Sequence, residues 1–464
     1  MRVRATTLGA RLFTALIAVA MVVGIGAATN RVATAEDLRP NIVLITTDDM
    51  TDYDLKWMPE TRRLLGEQGF EFTDFLSPHP LCCPARAEIL TGQYAQNNGV
   101  HTNDGEWGGT ALVDPDNNVG AWLQDAGYQT AFVGKWLNHF DDFPVAGWDH
   151  FNYSETGTYA PYGFKYSEEP RKIENEYTAD YVGRKTIEYA DEFGGEAPFF
   201  IWASQVAPHG MTLPSGKFAG AIPADRHKTL YPNAQPPSLS KPSFNESDVS
   251  DKPRFARQAK IDRAKMIDKF RNRIRSLRAV DEQVGNLMVS LAAAGEVDNT
   301  VIIFTSDNGY LLGEHRLSGK NVPYEEALQI PLLLRGPGVT LGSSAETMTI
   351  VDVAATVTDL ADAVPGRVLD GRSMMPVLAG QEPGYGQTLI QAGDIVHKWS
   401  FRGVRTSGFT YVEHTNAVEL YDRNADPYQL RNVAASRPRA LARLAAQLDT
   451  LRDCSGPTCY GGTP

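Results

Sequence analysis

Three short apolar runs in this chain each stop at polar residues. Asp48-Asp49 lies just beyond Asn41-Ile42-Val43-Leu44-Ile45, Gly134-Lys135 follows Thr130-Ala131-Phe132-Val133, and Ser306-Asp307-Asn308-Gly309 follows Asn299 to Thr305. Continuous apolar runs of this length suit strands buried on both faces, and in open parallel sheets ligands gather beyond the carboxyl ends of the strands. Asp48, Asp49, Asp307 and Asn308 would then converge as a hard, oxygen-only set suited to Ca²⁺, with Mg²⁺ as the alternative. Each Asp taken singly is better explained as a turn or helix cap; two clusters at two strand ends favour a metal. Between them lies Leu81-Cys82-Cys83-Pro84-Ala85-Arg86, running on to Leu90-Thr91-Gly92. Pro84 reads as the first helical residue and Gly92 as the stop, which puts Cys82 just before a helix N-terminus, where partial positive charge favours an anion. A reactive thiol, a redox pair and a buried structural cysteine all fit that pattern.

The elements that must hold these residues follow an α/β rhythm. Further buried strands are expected at Pro198 to Ala203 and Ile330 to Leu334, with helical patterns from about Met58 to Gly69 and Ala121 to Ala126. Strands alternating with helices predict an α/β domain with a large, mostly parallel sheet flanked by helices. Pro214 to Pro253 breaks the rhythm and reads as a long surface insertion. A basic amphipathic helix follows, roughly Ile261 to Ala294, whose Lys/Arg run is expected to be a solvated face. After Pro376, short strands at 387–391, 401–405 and 409–412 predict a smaller C-terminal domain on an antiparallel sheet, closed by a helix around Arg437 to Leu451. The expected division is therefore residues 36–376 and 377–464, behind an N-terminal segment at 1–35.

That segment has Arg2, Arg4 and Arg11, an apolar run from Leu12 to Ala28, and the small residues Ala33-Thr34-Ala35. This is the pattern of a cleaved secretory signal and predicts a chain released or held at the cell envelope, with no span remaining after cleavage. An uncleaved anchor is the competing reading. Cys454 and Cys459 bracket a turn-prone Ser-Gly-Pro-Thr, which in an exported chain reads as a local disulfide. Adjacent Cys82 and Cys83 do not suit one. Across 464 residues, 44 basic and 56 acidic side chains give a formal charge of −12. Cleavage after Ala35 removes four arginines and no acid, which takes it to −16. The 42% apolar and 22% charged composition excludes disordered, collagen-like and coiled-coil chains. The acidic balance argues against nucleic-acid binding, and an anionic substrate would need a local focus of positive charge.

Cys82-Cys83-Pro84-Ala85-Arg86 matches C-x-P-x-R, and the chain resembles the type I sulfatases of the alkaline-phosphatase superfamily. The order of the other motifs supports this: Asp48-Asp49, Gly134-Lys135-Trp136, Ala207-Pro208-His209, Ser306-Asp307-Asn308-Gly309, Gly313-Glu314-His315 and Gly319-Lys320. Leu420-Tyr421-Asp422 with Asp426-Pro427 resembles the family's C-terminal domain, so the likeness runs from about residue 38 to 450. It implies that a formylglycine-generating enzyme oxidises Cys82 to formylglycine, whose hydrate supplies the nucleophilic oxygen. It further implies that Asp48, Asp49, Asp307, Asn308 and the modified Cys82 bind one Ca²⁺, and that Arg86 holds the hydrate. Lys135, His209 and Lys320 would bind sulfate, with His209 or Lys320 protonating the leaving alcohol; His315 is expected to stand behind the site. Many arylsulfatases carry His two residues after the Lys of Gly-Lys-Trp, whereas here Leu137-Asn138 follows Trp136, leaving Asn138 or His139 to replace it. Cys-Cys-Pro, Gly-Lys-Trp-Leu-Asn and Asn98 to Asn103 are similar to the N-acetylglucosamine-6-sulfatase and heparan 6-sulfatase branch. The implied substrate is a sulfated sugar. The alternatives are an arylsulfatase, a phosphonate or phosphate ester hydrolase, and a catalytically silent protein that binds sulfated glycans.

Overall fold

The computed structural model describes residues 39–460 apart from 141, 142, 157, 196, 212, 214 and 216. The expected signal segment and its cleavage site lie outside the described residues. No described helix is long and apolar enough to cross a membrane.

The main sheet contains β1 (Asn41–Thr47), β2 (Phe70–Phe72), β3 (Gln129–Gly134), β4 (His150–Thr156), β5 (Lys165–Tyr166), β6 (Phe199–Ser204), β7 (Thr300–Ser306), β8 (Leu332–Arg335) and β9 (Gly342–Ser344). They lie in the order β9-β2-β8-β7-β1-β6-β3-β4-β5. Its centre is parallel, with β1 between β7 and β6 and β3 beyond β6. The strand expected at 330–334 is β8, and it runs antiparallel to both β7 and β2. The central strands are apolar throughout because both faces are covered. Ile42 and Leu44 enter one core with Phe200, Trp202, Val301 and Ile303, while Val43 and Ile45 enter the opposite core with Ile201, Ile302 and Phe304.

Three helices bear on the site or flank the sheet: α1 (Cys82–Thr91), α2 (Thr178–Phe193) and α3 (Arg263–Ala294). Every residue of α1 is buried, and Gly92 closes it at φ 63°. The helix begins at Cys82, two residues earlier than expected, so Pro84 lies inside the first turn. Asp262 caps α3 by accepting from the amides of Ala264 and Lys265. The expectation of a solvated basic face holds for Arg263 and Lys265, but Arg273 is buried. Among the described residues of 214–253 the helical elements are short 3₁₀ turns, at Asp225–His227 and Pro237–Ser240. The helical pattern expected at 58–69 is a single turn, Pro59–Thr61, continued by a π-turn.

The antiparallel C-terminal sheet is β10 (Gln387–Ala392), β11 (Phe401–Thr406), β12 (Phe409–His414) and β13 (Ala417–Asp422), in that order. Helix α4 (Pro438–Leu451) packs Leu444, Leu448 and Leu451 into a core with Leu389, Val404, Tyr411 and Leu420. Cys454 and Cys459 form a disulfide in the turn that follows.

Candidate functional site

The cluster is built where β1 and β7 end side by side. Thr47 pairs with Ser306, and the Asp307 amide donates to the Thr47 carbonyl at 3.0 Å. Asp49 has a left-handed φ of 73°, a turn that Asp tolerates better than most residues. Its amide donates to Asp307 Oδ1 at 3.1 Å. Gly134 ends β3 at φ 127°, and a Cβ there would lie 1.9 Å from the Ser204 carbonyl oxygen. Only glycine lets the two backbones approach so closely, and that approach delivers Lys135 to the cluster.

Cys82, at the first turn of α1, is 1% exposed. Its thiol donates to Asp48 Oδ1 at 3.3 Å, and Lys320 Nζ donates to its sulfur at 2.6 Å. Arg86, one turn further on, is fully buried. Its Nε donates to Asp307 Oδ2 at 3.0 Å, Nη2 pairs with the same oxygen at 2.9 Å, and Nη1 donates to the Lys135 carbonyl at 2.9 Å and to Ser204 Oγ. Asp48 also pairs with Lys135 through Oδ2, and Asp49 with Lys320 through Oδ1. One ligand atom each from Asp48, Asp49, Cys82 and His209 lies within 4.8 Å of the others. The structure thus brings together Asp48, Asp49, Cys82, Arg86, Lys135, His209, Asp307, Asn308 and Lys320, which span over 270 positions of the chain.

Burial and mutual charge set the protonation states. Burial pushes the Cys82 thiol up to about 12, with Asp48 adding to the shift, so it stays protonated at neutral pH. Burial would raise Asp48, but Lys135, His209, Lys320 and Arg86 outweigh it and hold the carboxyl well below its ordinary value. Asp49 is lowered against burial by Lys320 and His209. Asp307 is raised to about 6 by burial and the neighbouring Asp48. Burial lowers His209 more than Asp48 and Asp49 raise it. Its Nδ1 lies 2.6 Å from the Gly210 carbonyl, which can only accept, so Nδ1 carries the hydrogen and Nε2 faces Asp49 Oδ2 at 3.9 Å.

The donor set suits a hard divalent cation. Asn308 donates through Nδ2 to Asp49 Oδ1 at 2.7 Å, while its buried Oδ1 has no hydrogen-bond partner among the described residues. An orphaned amide oxygen beside three carboxylates is a donor that suits a hard cation. Asp48, Asp49 and Asp307 are balanced by Arg86, Lys135 and Lys320, so a divalent ion would leave the cluster two charges positive, with His209 neutral.

Two residues in contact with the cluster, Tyr159 and Arg273, were not expected from the sequence. The Tyr159 ring stacks on His209 with centroids 4.5 Å apart, and Lys135 Nζ lies 5.0 Å from its centroid. Its stretch, Gly157 to Gly163, has no periodicity to mark it. Arg273 donates to the Asp49 carbonyl and, at 3.0 Å, to Asp54 Oδ2. Here a signal existed, because Arg273 falls on the apolar stripe Met266, Phe270, Leu277, Val280 of α3. His139 is 63% exposed and pairs with Asp104, outside the cluster. Asn138 Oδ1 is buried without a partner among the described residues. His315 donates through Nδ1 to Glu246 Oε2, 2.7 Å away, and stacks on Tyr324.

Comparison with known proteins gives a consistent result. Residues 40–363 match the family profile described as Sulfatase, and residues 313–453 match that described as N-sulphoglucosamine sulphohydrolase, C-terminal. An arylsulfatase of Volvox carteri is 30% identical over 503 aligned residues, covering 92% of this chain and 76% of the relative. The N-acetylglucosamine-6-sulfatase of Homo sapiens is 28% identical, covering 91% of this chain and 86% of the relative. An extracellular sulfatase Sulf-1 homologue of Caenorhabditis elegans is 32% identical over 74% of this chain, which spans only half of that longer protein. Among solved structures, BT4656 in complex with its substrate D-glucosamine-2-N,6-O-disulfate superimposes with a TM-score of 0.72 at 25% identity, covering 89% of this chain and 98% of that one.

Proposed function

Because this chain belongs to the sulfatase family and is a sulfuric ester hydrolase, we propose that it cleaves the sulfate ester of a 6-sulfated N-acetylglucosamine or a closely related sulfated sugar, using a formylglycine made from Cys82. One observation carries the formylglycine reading. The residue at the C-x-P-x-R cysteine is buried between Asp48 and Lys320, with its thiol pushed up to about 12. A hydrated aldehyde made there would face Asp48 and Lys320, and the motif's arginine, Arg86, is buried against Asp307. Formylglycine, once hydrated, would supply the attacking oxygen and a second hydroxyl through which sulfate can leave without a water attacking sulfur. Asp48, Asp49, Asp307, Asn308 and the converted residue 82 would hold Ca²⁺, which supplies charge for the sulfate oxygens.

The remaining work falls to side chains of the cluster. Arg86 fixes Asp307 and the first turn of α1 and neutralises charge behind residue 82. Lys135 and Lys320 present ammonium groups to the sulfate. His209 Nε2, which faces Asp49, would be the atom that carries the proton; an arriving anion favours its protonated form, and the proton then passes to the leaving alcohol. The site's own charges balance, so the cation gives the positive focus that an acidic protein needs to bind a sulfate monoester.

The sugar preference rests on the likeness to N-acetylglucosamine-6-sulfatases and on Leu137-Asn138 in place of the arylsulfatase histidine pattern. The second reading, an arylsulfatase, is favoured by the Volvox relative. We further read the chain as exported behind a signal at 1–35, matured by a formylglycine-generating enzyme, and divided into a catalytic part to 376 and a C-terminal part from 377. The site loop at Gly313 to Lys320 lies inside the stretch matched by the C-terminal profile. Peptide mass spectrometry across residue 82 of protein from its native host is the first test, with the aldehyde mass expected. An intact thiol in exported, folded protein would remove the nucleophile and favour the glycan-binding reading. Release of sulfate from N-acetylglucosamine-6-sulfate, set beside nitrocatechol sulfate and matched phosphate and phosphonate esters, then ranks the substrates.

A further inference from the structure

At the mouth of the cluster one aromatic ring stands largely in water. Phe218 is 61% exposed, yet it is fixed on its inner side. A Cβ built on Gly210 would lie 2.0 Å from Phe218 Cζ, so the ring rests directly on the backbone beside His209. Its edge meets the His209 imidazole with centroids 6.1 Å apart at 79°. The segment that carries it is folded back on itself: the Met211 amide donates to Gly220, the Ala219 amide to Met211 and the Leu213 amide to Lys217. The ring of Tyr159, which stacks on His209, is already occupied by the imidazole and Lys135. Phe218 is thus an aromatic at the mouth with a free face, next to the side chain assigned the leaving-group proton.

We infer that Phe218 is the platform for the leaving group, taking the C–H face of the pyranose ring whose ester oxygen lies at His209. This rests on the sugar reading above. An alcohol that receives its proton from His209 must bring the carbons attached to that oxygen alongside the same imidazole, where Phe218 lies. A wall on one side only suits an amphipathic ring, because the apolar C–H face covers the phenyl while the hydroxyl edge remains in water. A flat aryl leaving group gains more from a slot enclosed on both faces.

The test measures binding by titration calorimetry in the calcium-loaded, full-length Cys82→Ala protein, which cannot turn over. Phe218→Ala should weaken N-acetylglucosamine-6-sulfate about tenfold, leave inorganic sulfate unchanged, and be rescued by Phe218→Trp. In the converted enzyme the same change should raise KM with little effect on kcat. Unchanged sugar affinity, or a loss confined to nitrocatechol sulfate, would overturn the platform while leaving the sulfatase reading intact. An equal loss for inorganic sulfate would also overturn it, because the effect would then be distortion of the sulfate site. If Cys82→Ala binds inorganic sulfate but not the sulfated sugar, the sugar reading fails first and the platform falls with it.

Discussion

Arg86→Met removes a fully buried charge from the centre of the cluster. Arg86 is fully buried and makes contacts to Asp307, the Lys135 carbonyl and Ser204, with Asp48 3.6 Å away. Methionine roughly keeps the volume but leaves Asp307 and Asp48 in an apolar interior with one cation fewer. Breaking a buried pair in this way costs about 3–5 kcal/mol. Unfolding entropy of about 2.1 cal/mol/K per residue, over the roughly 430 residues of the compact unit, amounts to about 0.9 kcal/mol/K, so Tm should fall by about 3–5 °C. The drop should be larger at pH 8 than at pH 5, because Asp307, already raised to about 6, escapes the penalty by protonating. Calorimetry of the calcium-free proteins measures it, and Arg86→Met/Asp307→Asn supplies the check. Removing both partners should recover about 2 kcal/mol relative to the sum of the single changes. A Tm within 1 °C of the parent at pH 8, or a double variant no better than additive, would refute the view that this ion pair organises the site.

Three other outcomes follow from the same geometry. Folded protein with unconverted Cys82 should take no iodoacetamide at Cys82 or Cys83 at pH 8 and label at both once unfolded in denaturant, because both are buried and their thiols are raised to about 12 and about 11; native labelling read by peptide mass would contradict the burial. Saturating Ca²⁺, at about a hundred times its Kd, should stabilise the parent by about 2.7 kcal/mol, or roughly 3 °C by the entropy used above, and Asp49→Asn should abolish the shift in thermal melts; a variant that still responds fully would place the ion elsewhere. Asp52 is raised to about 6 by burial, so between its unfolded value of 3.8 and about 6 the native state binds more protons than the unfolded one, and stability falls as pH rises through that window. Asp52→Asn should therefore match the parent near pH 4 and exceed it above pH 6; a parallel pair of stability-versus-pH curves would reject the assignment.

The central strands were legible because a strand buried on both faces must be continuously apolar, and Ile42 to Ile45, Phe199 to Ala203 and Val301 to Phe304 are. That Asp48, Asp49, Asp307 and Asn308 converge was legible because acids and an amide at neighbouring strand ends form a hard-cation set; Cys82, Arg86, Lys135, His209 and Lys320 were expected beside them only from the family resemblance. Direction was not: β8 runs antiparallel because its partner is chosen across the sheet, and an apolar run looks the same read either way. The start of α1 was misjudged by two residues because proline is accepted anywhere in a first turn, where no intrahelical donor is required. Arg273 shows a limit of a different kind. Its place on an apolar stripe was visible, but only the packing of α3 against the loop after β1 supplies the Asp49 carbonyl and Asp54 that make a buried guanidinium tolerable. Tyr159 had no sequence signal, and Phe218 was marked only as part of the insertion at 214–253. Their positions against His209 depend on irregular backbone, whose path is set by contacts far apart in the chain rather than by local propensity. The candidate reacting groups were thus legible from side-chain chemistry and motif; which side chains surround them was decided only when distant segments packed together.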